Sequence, residues 1–130
     1  MVEKFNQEVD WLVAGTGVGG LTGAVVAHEL GAEVLVVESA SLYGGTTAHS
    51  GGVAWIPGHH LQSSVGIEDS KEEGYQYLRS LIGDTVKKER LRAYVDKADE
   101  MLQFMHKHSR VDFTPLPAYM DYYEEHQGSK

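Results

Sequence analysis

An α/β fold is predicted by three features that follow one another within the first 38 residues. The apolar run Trp11-Leu12-Val13-Ala14 leads straight into the turn Gly15-Thr16-Gly17-Val18-Gly19-Gly20. A helical stretch then closes on Gly31, and a second apolar run, Val34-Leu35-Val36-Val37, ends on the carboxylate of Glu38. Strand, glycine turn, helix and strand in that order describe a Rossmann-like βαβ unit. A lone G-x-G-x-x-G is weak evidence, since glycines can simply join a strand to a helix. Its placement here, with an acid eighteen residues past Gly20, is what points to a dinucleotide.

Each part of the unit has its own physical task. Residues 9–14 read as the first strand, about 18–30 as the helix and 33–38 as the second strand. Gly15 allows the tight turn, Gly17 lets a pyrophosphate approach the backbone, and Gly20 lets the helix pack close to the sheet. The helix start, Val18, Gly19 and Gly20, offers free N–H groups and a positive dipole end to the phosphates. Glu38 is placed to accept hydrogen bonds from an adenosine ribose. The helix carries Leu21, Val25, Ala27 and Leu30 among the small residues Gly23 and Ala24, which let it sit close on a sheet.

Residues 39–58 read as a long loop with a short extended piece around Gly52–Ile56. Its centre is Gly44-Gly45-Thr46-Thr47-Ala48-His49-Ser50-Gly51-Gly52. Bare glycine backbones at Gly45, Gly51 and Gly52 can approach an extended ligand, and the hydroxyls of Thr46, Thr47 and Ser50 can bond its polar atoms. A polar surface loop would need neither the paired glycines nor the hydroxyls between them.

The character then changes. Ser70-Lys71-Glu72-Glu73 is a capping box that starts a helix carrying Tyr75, Leu78 and Leu81-Ile82 and stopping near Gly83. Asp84 or Thr85 is expected to cap a longer helix, in which Leu91, Tyr94, Val95, Ala98, Met101, Leu102 and Met105 recur at three- and four-residue spacing. Lys87, Lys88, Arg90, Arg92, Asp96, Lys97 and Glu100 make its solvated face. Val111 to Thr114 read as a short strand ended by Pro115 and Pro117, and the Gln-Gly-Ser-Lys ending as an exposed loop prone to nicking. No metal site is expected. His106 and His108 diverge on a helix, and His59-His60 has neither Cys nor clustered acids nearby.

The segment after Glu38, with Trp55-Ile56-Pro57 behind it and Tyr119-Met120-Asp121-Tyr122-Tyr123 near the end, resembles the flavoprotein family of fumarate reductases and, more closely, 3-ketosteroid dehydrogenases. The resemblance runs from Val9 to Lys130 and is most specific in the first 57 residues. It implies FAD as cofactor, with Gly45 to Gly52 along its pyrophosphate and ribityl side. It implies a 3-ketosteroid or similar apolar substrate, dehydrogenated next to the ketone, at the 1,2 position, by proton abstraction and hydride transfer to the flavin. Tyr123 is implied as a catalytic-site tyrosine supporting the base, with the base itself beyond residue 130. Such enzymes are several times longer, so this chain is expected to be an N-terminal portion. Residues 1–58 would form the FAD-binding unit and cofactor loop, and residues 59–130 a mainly helical segment ending at a Tyr-rich strand or loop. Further segments or a companion chain would complete a parallel sheet that is ordinarily buried on both faces.

Two rivals remain open at this level: a related flavoprotein acting on another ring position or on a dicarboxylate, and a non-catalytic dinucleotide-binding module. A dicarboxylate would call for cationic side chains, and none stands in residues 119–123. Glu38 disfavours a 2′-phosphate on the bound dinucleotide. The net charge of −8 argues against a nucleic-acid partner. The absence of cysteine excludes a thiol nucleophile or a disulfide framework here and suits a reducing compartment. A cytosolic chain is expected, with association at a membrane surface left open, because the first residues lack the apolar core of a signal peptide.

Overall fold

The structure, a computed structural model, describes residues 5–130; the first four positions of the expected 1–58 segment lie outside the described residues. The chain divides into two compact units, the first ending at Ala54 and the second beginning at Trp55. That division falls inside the long loop, a few residues before position 58. Trp55, Pro57 and Gly58 are held by groups of the second unit, as described below.

In the first unit, β1 (Trp11–Ala14) and β2 (Val34–Val37) form a parallel pair, with Trp11 opposite Val34 and Ala14 opposite Val37. Helix α1 (Val18–Glu29) crosses between them. Val13 on the sheet and Ala24 and Ala27 on α1 are its buried apolar residues. The buried face of α1 is therefore built of alanines, and Leu21 and Leu30 are exposed. A small-residue face lets helix and strands approach closely, and Gly20 completes it: a Cβ there would run into the carbonyl oxygen of Gly15 and lie 3.1 Å from Val13 Cγ1. The sheet remains largely open. Trp11 is 54% and Leu12 61% exposed, so residues that belong in the interior of a parallel sheet face solvent in this chain.

In the second unit, α2 (Lys71–Ile82) packs on α3 (Lys88–His108). Leu91, Val95, Ala98, Leu102 and Met105 are buried along one face of α3, while Tyr94 and Met101 sit at its exposed edge. On α2 the buried ring is Tyr77 rather than Tyr75, whose ring takes the Arg92 guanidinium at 3.8 Å. The cap of α2 is formed, with one difference from the box. Ser70 Oγ accepts from Glu73 N at 3.2 Å, but the Glu73 carboxylate reaches the Ser70 hydroxyl, because Ser70 N already donates to Asp69 Oδ1.

Neither Asp84 nor Thr85 caps α3. The helix starts at Lys88, behind Lys87 and without a side-chain cap, because the Asp84 carboxylate is taken by Arg79 of α2 at 2.8 Å and Thr85 N turns back to Ile82 O. No strand forms at 111–114. There the N–H groups of Val111 and Phe113 are satisfied by Ser109 Oγ and His106 Nε2 rather than by a ladder. Gly52–Ile56 likewise forms no strand, whereas a 3-10 turn at Gly45–His49, unforeseen in the sequence, occupies the loop before it. The chain's last residues are not a free loop: Gly128 lies against the backbone of α2 at Glu73 and Tyr77, and Lys130 Nζ pairs with Glu73 Oε1 at 2.7 Å. Among the described residues no helix is long and apolar enough to cross a membrane.

Candidate functional site

The first unit brings the two glycine segments together. Gly15 adopts a φ of +100°, open to glycine at little cost, and its N–H donates to Val37 O at 2.7 Å, so the turn leaves β1 over the end of β2. Gly17 is the N-cap of α1 in extended conformation and brings no capping side chain. Gly44 and Gly45, both at positive φ, fold the loop back over it: a Cβ on Gly45 would lie 3.5 Å from Gly17 Cα and one on Gly44 would strike Ala48 Cβ. Above Gly17 itself the nearest group is Thr47 Oγ1, at 3.9 Å from where a Cβ would sit.

What joins these parts is Thr16, a residue that the sequence reading passed over. It is the one buried polar residue among those described. Its hydroxyl donates to Glu38 Oε2 at 2.5 Å and accepts from Gly44 N at 2.7 Å, while its own N–H donates to Glu38 Oε2 at 3.0 Å. Glu38 Oε1 accepts from Ala40 N at 2.9 Å and from the Ser39 hydroxyl at 3.3 Å. The Thr16 hydroxyl foremost, then the Ala40 and Thr16 amides, hold the Glu38 carboxyl down at about 2 from its ordinary 4.5. The side chain is thus ionised at any working pH and half-buried at the rim of the cradle. The only sequence signal for Thr16 was a hydroxyl between two glycines, and that gives no hint of a partner 22 or 28 positions away.

The remaining loop hydroxyls are spent partly on the protein. Thr47 Oγ1 accepts from Val18 N at 3.1 Å, and Ser50 Oγ donates to Thr47 O and accepts from Gly52 N. Thr47 keeps its proton for another acceptor. Gly19 and Gly20 are in the first turn of α1, where amides have no carbonyl four residues back inside the helix. Around Gly51 and Gly52 a Cβ would meet nothing within 4 Å. Uncrowded glycine backbone, first-turn amides and one fixed carboxylate are the donor and acceptor set that a dinucleotide's pyrophosphate and ribose require, and the residues present fit that group.

The second unit carries the tyrosines. Residues 119–123 form a loop bent at Tyr122, so the alternation of an extended strand does not apply to them. Tyr119 and Tyr122 nevertheless part from Tyr123. Their hydroxyls bond each other at 3.0 Å, which pushes the Tyr119 phenol above its usual range, while Tyr123 lies edge-on to His126 at 6.0 Å and is half exposed. His60 bonds Asp99 at 2.6 Å and lies edge-on to His106 with ring centroids 6.5 Å apart, His106 accepts from Phe113 N, and His108 turns away to stack on Phe104. Burial pushes His59 below its ordinary value.

Comparison with known proteins covers nearly the whole chain. Residues 10–129 match the family described as FAD binding domain. A 3-oxosteroid 1-dehydrogenase of Mycolicibacterium smegmatis is 42% identical over 125 residues, which are 96% of this chain and 22% of that protein. The crystal structure of a 3-ketosteroid delta1-dehydrogenase from Sterolibacterium denitrificans, in complex with 1,4-androstadiene-3,17-dione, superposes with a TM-score of 0.87 at 38% identity, covering 94% of this chain and 21% of that one. A 3-ketosteroid-delta4-(5alpha)-dehydrogenase from Rhodococcus jostii RHA1, in complex with 4-androstene-3,17-dione, gives 0.75 at 31%, covering 82% and 22%. The chain spans about a fifth of the length of these relatives.

Proposed function

The chain belongs to the FAD binding domain family, and on that premise we propose that it supplies the FAD cradle and one side of the substrate site of a 3-ketosteroid 1-dehydrogenase. The observation that carries this reading is the reach of the likeness. It does not stop with the βαβ unit but continues through Trp55-Ile56-Pro57 to the tyrosines at 119–123. The delta1 enzyme is also matched over more of the chain than the delta4 enzyme, which favours the 1,2 position.

In this reading Gly17 gives the pyrophosphate access to the backbone, and the first-turn amides of Gly19 and Gly20 face its charge, whereas the Val18 amide, expected to be free, is taken by Thr47 Oγ1. Glu38, ionised and oriented by Thr16, meets the adenosine ribose. Gly45, Thr46, Thr47, Ser50, Gly51 and Gly52 line the ribityl and ring side. Bound FAD supplies the hydride acceptor. Tyr123 supports the group that takes the proton next to the ketone, by a hydrogen bond that keeps that group's oxygen oriented and makes it a better base. The test is direct: the complete protein, purified, should show a flavin absorbance spectrum and reduce an artificial electron acceptor when given a 3-ketosteroid, with a 1,2-unsaturated product. A colourless protein, or a flavoprotein inert toward 3-ketosteroids, would refute the proposal, and a 4,5-unsaturated product would move it to the other ring position.

A further inference from the structure

The Tyr119–Tyr123 loop has no regular secondary structure and is largely exposed, so its position depends on a few anchors. The central anchor is Asp121. Its Oδ1 accepts from Trp55 Nε1 at 2.8 Å, its Oδ2 accepts from Lys130 N at 2.9 Å, and its own N–H donates to Lys130 O at 2.8 Å. Both carboxylate oxygens are thus committed, one of them to a residue 66 positions away.

Trp55 is itself fixed. The Tyr94 hydroxyl donates to its carbonyl at 2.6 Å, its ring lies parallel to Tyr94 with centroids 6.3 Å apart, and it leans on Tyr77 at 5.6 Å. Two residues on, Pro57 fills the space that Gly74 leaves on α2. Tyr77 is buried. Indole has a single donor with one direction, and a bond from it to a carboxylate is charge-assisted, so this pair sets orientation as well as distance.

We infer that Trp55 and Asp121 are positioning residues, a clasp that ties Trp55-Ile56-Pro57 to the tyrosine loop and sets where Tyr123 stands. The inference rests on the reading of Tyr123 as a substrate-side residue. Trp55→Phe keeps the aromatic body and removes the donor. Asp121→Asn keeps the shape but cannot accept from both Trp55 and Lys130. In the complete flavin-loaded protein, hydrogen exchange of the amides at 119–130 should quicken in both variants while the amides of α3 keep their protection; unchanged exchange overturns the clasp whatever the kinetics.

Turnover supplies the second readout. Trp55→Phe should lower kcat about tenfold with KM within about twofold and the flavin spectrum unchanged. Added to Tyr123→Phe it should cost little more, because residues acting through one group are not additive. Native kcat in Trp55→Phe, or a further full tenfold loss in the double variant, overturns the positioning role. Native kcat in Tyr123→Phe overturns the assignment of Tyr123 instead, an outcome that the exchange measurement does not share.

Discussion

Glu38 stays ionised because four donors from Thr16, Ser39 and Ala40 surround it, the Thr16 hydroxyl contributing most. A carboxyl depressed in the folded state contributes stability that is complete above its ordinary value of 4.5 and is lost as pH falls through about 2. FAD bound through this carboxylate should therefore be retained in mild acid. Thr16→Val, which keeps the shape and deletes the hydroxyl, lets the Glu38 value rise, so acid release of FAD, followed by flavin fluorescence, should move to higher pH; Thr16→Ser should restore it. Glu38→Ala should weaken FAD about tenfold or more at neutral pH, as expected for a lost hydrogen bond to a charged group. A second contrast at this scale concerns adjacent tyrosines. Tyr123→Phe should lower kcat at least about tenfold while leaving steroid and FAD binding near native. Tyr122→Phe, which breaks only the bond to Tyr119, should cost much less, and equal losses would make the loop ordinary packing.

At the scale of elements, the glycines of the turn divide by what surrounds them. A methyl at Gly20 has no room against the Gly15 carbonyl and Val13, whereas at Gly19 it meets nothing within 4 Å. Gly20→Ala should thus lower both the melting temperature and the flavin content of the complete protein, and Gly19→Ala should leave the melting temperature near native. Equal melting temperatures would show that α1 does not need this close approach. Local rules made β1, α1, β2, α2 and α3 legible because periodicity, glycine turns and the Ser70 cap are written within a few residues. Ser70→Ala should cost about 1 kcal/mol in denaturant unfolding for the same reason. The α3 cap and the 111–114 strand were misread because specific side chains, which periodicity does not show, claim the groups involved: Asp84 is taken by Arg79, and the 111–114 amides by Ser109 and His106; the tyrosine loop is held by Lys130 and by Trp55, 66 positions from Asp121. The site shows the same division, its glycines and Glu38 standing in a recognisable spacing while Thr16 becomes visible only once Glu38 and Gly44 are brought to it in space.

For the whole molecule the decisive quantity is the apolar surface left uncovered. Two parallel strands with one helix across them bury Val13 but leave Trp11, Leu12 and Val37 in solvent, and parallel sheets are ordinarily covered on both faces. Leu30, Leu42 and Tyr43 in the same unit are each more than three-quarters exposed. Backbone ordering costs about 1–2 kcal/mol per residue, and a sheet this open buries too little apolar area to offset it. The second unit is better placed, since α2 and α3 bury a continuous stripe from Tyr77 to Met105. Expressed alone, residues 1–130 should therefore melt without a single cooperative transition, with amides of α3 the best protected against hydrogen exchange and those of β1 and β2 exchanging at close to unfolded rates. Flavin should bind weakly or not at all to such a fragment, because the cradle stands on those two strands. A sharp two-state melt with strand amides protected as well as those of α3 would show that the βαβ unit stands by itself and that the uncovered faces need no neighbours.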